Sequence, residues 1–194
     1  SAPASLISTL TLANAEVLAV LCLVQSAMPG TPFLYAPVPA LVNPRSWRFG
    51  GGEIEHSLLG AGATEMARFY GLPAEVSTGG TDEPTIGVQG GYETALNWLL
   101  PTLSWPDVLI GPGLLAGSTV LSLEQLLIDI EVFRLCARLQ RGIESDGPRW
   151  LDTIIESIGP GGNFLGHRST REALHRGEWY MGRLGFHDTY ERWE

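Results

Sequence analysis

Short apolar runs alternate with helical patterns along this chain, and that alternation constrains the fold more than any other feature. Residues 4–8, 32–38, 72–78 and 107–110 read as strands, each apolar and set off by glycine or proline. Helical patterns fall between them, over 12–28, 53–70 and 92–103. A fourth, over 123–141, is the clearest, with Ile128, Val132, Leu135 and Leu139 on one side and Arg134, Arg138 and Arg141 late, where cations suit the helix dipole. Strands this apolar are buried on both faces, so the reading is an α/β fold made of parallel (β/α) units. A closed (β/α)8 barrel needs about eight such units in about 250 residues. Four are visible here, which leaves either a complete open sheet or about half of a TIM barrel.

The other segments are consistent with one domain over 1–194. Residues 39–52 are expected to be loop, because they hold Pro44, Trp47, Phe49 and three consecutive glycines. Gly71 is expected to end the second helix, and Pro101 to mark the last turn of the third. A further helix is expected over 150–158, then short helices and surface loop from Asn163 onward. The apolar run 13–27 is interrupted by Asn14, Glu16 and Gln25 and reads as too short to span a bilayer. No cationic segment precedes it, so the expectation is a cytoplasmic protein without membrane attachment.

Charge narrows the chemistry. All 12 basic residues are arginine, which excludes a Schiff-base lysine, a Walker-type lysine and any catalytic ammonium within these residues. With 21 acidic residues the net charge is -9, which disfavours a nucleic-acid partner and suits a cationic small molecule. Cys22 and Cys136 lie in helical patterns without CxxC spacing and read as buried thiols. The histidines, His56, His167, His175 and His187, show no ligand spacing, so no metal site is expected. His167 is the best functional candidate among them because it follows a glycine-rich loop. The run GPGLLAG, 111–117, resembles a phosphate-binding turn through Gly111 and Gly113 but matches neither GxGxxG nor a P-loop. A tight strand-to-helix turn is the simpler reading, with a small nucleotide binder as the minor alternative.

The stretch 79–96, GGTDEPTIGVQGGYETAL, sits between a strand run and a helical pattern and has the composition of a ligand loop at a strand end. Asp82 and Glu83 are adjacent, and neighbouring loop residues seldom form an acid/base pair across a substrate. Asp82 is therefore the ligand candidate, with a solvated carboxylate or helix cap as the alternative.

Seven stretches occur in an order that resembles the C-terminal half of the trimethylamine methyltransferase family: LANAEVLA (12–19), PGTPFLYA (29–36), ARFYGLP (67–73), GGTD with VQGGYE (79–82 and 88–93), EQLLIDIE (124–131), RGIE (141–144) and IGPGGNFLGH (158–167). The resemblance implies the half-barrel over the open sheet. It also implies transfer of a methyl group from a methylated amine to the Co(I) of a corrinoid (cobalamin) carried on a partner protein, with no cofactor held tightly by this chain. A quaternary ammonium offers no N–H, so aromatic faces and a carboxylate hold it best. Tyr35, Trp47, Phe49 and Tyr92 are candidates for the faces, with Gln89 and His167 as further substrate contacts and Asp82 or Glu16 for the charge. Gly79 and Gly80 would face the corrinoid. In the trimethylamine enzymes a pyrrolysine occupies this loop. Its position falls at Thr81 here, which makes Thr81 a catalytic-position candidate and points to a quaternary amine such as glycine betaine. With one barrel half alone, two parallel edges stay open and a homo-oligomer is expected. The alternative is an inactive barrel fragment that serves as a binding or assembly module.

Overall fold

The computed structural model describes residues 2–78 and 80–193, so Gly79 lies outside the described residues. Contacts gather the chain into two compact units, Ser1–Ala137 and Arg138–Glu194.

The first unit opens with α1, Leu6–Ala27. The strand expected at 4–8 is instead the first turn of this helix, and the Thr9 N–H donates to the Ser5 carbonyl at 2.9 Å. A five-residue apolar run carries no periodicity that separates strand from helix, and here Leu6, Ile7 and Leu10 simply extend the series that follows. The extension also changes the membrane argument. At 22 residues, with a hydropathy of 1.9 over its most apolar window, α1 is long and apolar enough to cross a membrane by length and composition, and it has no buried residue.

The expected loop 39–52 contains a two-residue antiparallel hairpin of β1, Leu41–Val42, and β2, Phe49–Gly50. It leads into α2, Ile54–Tyr70, which stops at Gly71 in the left-handed conformation. Next come β3, Glu75–Ser77, α3, Val88–Leu103, and β4, Val108–Ile110. β3 and β4 pair in parallel, with Glu75 opposite Val108 and Ser77 opposite Ile110. The strand expected over 32–38 shrinks to one parallel bridge, Tyr35 with Ala74, because Pro32 and Pro37 have no N–H to continue a ladder. Even so, three parallel segments lie side by side in chain order, joined by α2 and α3.

Packing explains why α2 is the central helix. A Cβ at Gly60 would meet the Val76 side chain at 2.6 Å and one at Gly62 would meet Leu10 at 2.7 Å, so the two glycines let β3 and α1 approach opposite sides of α2 closely. The core beneath is Tyr35, Ala63, Ala67 and Ala74, flanked by Val17, Met66, Tyr70 and Leu72.

After β4 the run GPGLLAG turns into an antiparallel hairpin, β5, Leu114–Leu115, with β6, Val120–Leu121. It does not open a helix. α4, Leu123–Arg141, begins only after β6, and the boundary between the two units falls near its end.

The second unit holds α5, Asp152–Ile158, and α6, Arg168–His175, with single 3-10 turns at Gly147–Arg149 and Tyr190–Arg192. Arg149 ties it together by pairing with Glu144, Asp146 and Glu178. Arg138 adds bonds to the carbonyls of Gly142 and Glu178 at 2.8 and 2.7 Å.

Candidate functional site

The loop that leaves β3 is built into the first unit by three neighbours. From one side the β5–β6 hairpin pairs with it as backbone: Thr81 N–H donates to the Leu114 carbonyl at 3.3 Å, Gly117 N–H to Thr81 at 2.9 Å, and Ala116 N–H to Glu83 at 2.9 Å. From below, the first turns of α3 reach it with side chains. Glu93 Oε2 accepts the Thr81 hydroxyl at 2.5 Å and the Asp82 N–H at 2.9 Å, while its Oε1 accepts Gln89 Nε2 at 2.8 Å. The third neighbour is the chain between β2 and α2, where Gly51 N–H donates to Asp82 Oδ1 at 2.8 Å.

Glu83 answers the question left by the adjacent carboxylates. Its Oε2 accepts the Gly90 N–H at 2.5 Å, so it caps α3 from the loop and lies where a negative charge suits the helix dipole. This tertiary cap is why α3 begins at Val88, four residues before the helical pattern is visible in the sequence.

Beneath the loop sits Asn97, fully buried on α3. Its Oδ1 accepts the Ser57 hydroxyl at 2.6 Å, and its Nδ2 donates to the carbonyls of Gly51 and Gly80 at 3.1 and 3.4 Å. The same side chain thus spans three segments.

The β4–β5 turn has its own buried anchor. Asp129 of α4 is fully buried, accepting the Gly113 N–H at 2.6 Å and Gln125 Nε2 at 2.7 Å. Burial pushes its carboxyl up from the ordinary aspartate value, against the opposing pull of those two donors. The amide that an anion would need at Gly113 is therefore committed, and Gly111 and Gly113 form a hairpin turn rather than a phosphate cradle.

His56, on the first turn of α2, lies under the end of β3. It is 2% exposed, its Nε2 is 3.0 Å from the Ser77 carbonyl, and its ring meets Phe49 edge-on. A carbonyl partner makes Nε2 the protonated nitrogen of the neutral ring. Burial holds its pKa below the ordinary histidine value, outweighing the carbonyls of Ser77 and Pro39. A histidine that stays neutral when folded takes up its proton only on unfolding. Its contribution to stability is thus complete above the ordinary value of about 6.5 and falls as pH drops toward the lowered one, with a limiting slope of about 1.4 kcal/mol per pH unit. Thermal midpoints of wild type and His56→Gln measured from pH 7.5 to 5.0 are expected to converge as the pH falls. A constant gap would refute this.

The sequence candidates separate cleanly. Asp82, Thr81 and Gln89 come together through Glu93, and Phe49 lies two residues before Gly51. Gly80 joins them through its carbonyl to Asn97. Thr81 is fully buried and gives its hydroxyl to Glu93, so it shapes the loop and has no surface for a ligand. Tyr92 is 56% exposed on α3, and Trp47 is exposed at the tip of the β1–β2 hairpin with φ 57°.

Tyr35 belongs to the core. It is 1% exposed, its hydroxyl donates to Asn14 Oδ1 at 2.9 Å and its ring stacks on Tyr70, which leaves no face for an amine. Glu16 lies apart on α1, lining a groove of about 490 Å³ with Phe33, Leu34 and Val38. His167 lies in the second unit, where its Nδ1 accepts the Ser169 N–H at 3.1 Å and caps α6. Glu93, Asn97 and His56 were missed as site residues. Glu and Asn within a helical pattern read as its solvated face, and only their partners 11 to 46 residues away reveal otherwise.

Comparison with known proteins settles the family. The family described as Trimethylamine methyltransferase (MTTB) matches residues 1–194. The chain belongs to that family. It is 35% identical over 192 residues to a glycine betaine methyltransferase of Desulfitobacterium hafniense, covering 98% of this chain and 40% of that relative. A trimethylamine methyltransferase of Methanosarcina barkeri is 32% identical over 174 residues, 90% of this chain and 35% of the relative. A Desulfitobacterium hafniense trimethylamine methyltransferase matches at 28% over 166 residues. The chain thus spans well under half the length of the trimethylamine methyltransferase family members it matches, and what it matches is their C-terminal part.

Proposed function

We propose that this chain supplies the amine-facing loop of a methyltransferase that moves a methyl group from a quaternary amine, of which glycine betaine is the type, to the Co(I) corrinoid of a partner protein. The observation that carries the reading is the state of Asp82. Its Oδ1 is committed to the Gly51 N–H and its backbone N–H to Glu93, so the carboxylate is held in one orientation. A fixed, partly exposed carboxylate beyond the C-terminal end of a parallel strand lies where α/β folds place their ligands, and it can hold a cation that has no proton to donate. Family membership and the name of the Desulfitobacterium relative supply the reaction class.

In this reading Asp82 holds the ammonium, Gln89 and the exposed ring of Tyr92 border it, and the clasped loop keeps the C–N bond oriented toward the acceptor. A Co(I) corrinoid brought by the partner would supply the electron pair that accepts the methyl group, and the pair of the broken C–N bond would stay on the amine. The residues of this chain orient and shield, and no proton moves through them.

The half-barrel belongs to the same proposal. Three parallel segments adjacent in chain order, joined by helices, are what an arc of a TIM barrel requires. An apolar α1 with no buried residue suits a helix whose neighbours lie elsewhere.

A chimera in which this chain replaces the matching segment of the Desulfitobacterium relative tests the function. Betaine-dependent methylation of a Co(I) corrinoid protein, followed by the corrinoid spectrum, is expected within about tenfold of the parent rate. A folded chimera without turnover, beside an active parent, would refute it.

A further inference from the structure

We propose that Glu93 is the positioning residue of this site: by clasping the loop at Thr81 and Asp82 it aims the charge of Asp82, and so makes the site distinguish a cation from its neutral isostere. The proposal rests on the amine-binding reading above and adds to it the residue that gives the site its charge selectivity.

Both oxygens of Glu93 are engaged. Oε2 takes the Thr81 hydroxyl and the Asp82 N–H, and Oε1 takes Gln89. Thr81 passes the restraint onward, since its hydroxyl also accepts the Glu83 N–H at 3.0 Å. Asp82 is then held at two points, its backbone by Glu93 and its side chain by Gly51, which holds the carboxylate in one orientation. The grip comes from a rigid element. Asn97, one turn further along α3, holds Gly51 and Gly80, so two residues on one face of the helix fix both loops relative to each other.

Space for the clasp is provided at Gly52, where a Cβ would run into the Glu93 carboxylate. The side chain of Glu93 is therefore a fitted part and its carboxylate faces the loop. Removing it would leave the charge of Asp82 in place and the loop still paired with the β5–β6 hairpin, but would release the Asp82 N–H and the Thr81 hydroxyl, and a charge held at fewer points loses selectivity before it loses shape.

The test is titration of the chain by calorimetry with glycine betaine and with 3,3-dimethylbutanoate, which replaces the ammonium nitrogen by carbon. Wild type is expected to favour betaine by about tenfold or more, and Glu93→Ala to reduce that ratio below about threefold while affinity for the carbon isostere stays unchanged. Glu93→Gln is expected to keep the ratio, because its amide oxygen can take the place of Oε2 while Gln89 turns its own amide to match. Gly52→Ala, which displaces the carboxylate with its charge intact, is expected to lose the ratio as Glu93→Ala does. A preserved ratio in Glu93→Ala would overturn the proposal. So would an equal loss in Glu93→Gln, since the charge of Glu93 itself would then be reading the cation. A wild-type chain that fails to distinguish the two ligands would overturn the amine reading as well, an outcome distinct from a selective wild type with a selective Glu93→Ala.

Discussion

Replacing Asp82 by Asn is expected to weaken binding of glycine betaine by about ten- to thirtyfold, roughly 1.4–2 kcal/mol. Asn keeps an oxygen to accept the Gly51 N–H, so the loop retains its tie and only the charge is lost. A quaternary ammonium near a half-buried carboxylate, at an effective dielectric of about 20, gains about 3 kcal/mol at 5 Å, and partial exposure takes a share of that away. Calorimetric titration checks it, with the thermal midpoint expected to move by less than about 2 °C. Unchanged affinity would remove Asp82 from the site.

The largest stability effect is expected at Asn97. Asn97→Ala strands the Ser57 hydroxyl and removes a donor from the carbonyls of Gly51 and Gly80, all under a residue that is fully buried. Unsatisfied buried groups cost about 1–3 kcal/mol each, and with local relaxation the sum is expected near 3 kcal/mol. For a domain of this size that lowers the thermal midpoint by roughly 6–12 °C. Far-UV circular dichroism melts measure it. A shift under about 2 °C would mean that water replaces the side chain, and that the three segments do not depend on it.

The same residues show what a sequence can and cannot disclose. α4 was legible end to end, because its apolar stripe and late arginines are local signals, and so was the stop of α2 at Gly71. β3 and β4 were legible as apolar runs flanked by turn residues. The segment at 32–38 was not, since prolines can bound a strand or dissolve it, and only the register with Ala74 shows that one bridge survives. GPGLLAG read as a turn into a helix because glycine permits either geometry. The choice was made by Asp129, sixteen residues away, taking the Gly113 amide.

Asp82 stands out in the sequence because a carboxylate in a glycine-rich loop has no local structural duty. Glu93 and Asn97 were illegible for the converse reason. Each sits on a helix where its type is ordinary, and its role lies wholly in tertiary contacts to the loops at 51 and 80–82. Tyr35 misled because an aromatic near a strand end suits a ligand or the core alike, and only its hydroxyl bond to Asn14 shows that the ring sits in the core.

The most direct test of the account is a titration of the isotopically labelled chain with glycine betaine, followed by amide chemical shifts. Saturable shifts are expected at Gly51, Asp82, Gln89 and Glu93, with the groove beside Glu16 and Phe33 unmoved. Shifts confined to that groove, or none at any concentration, would contradict it.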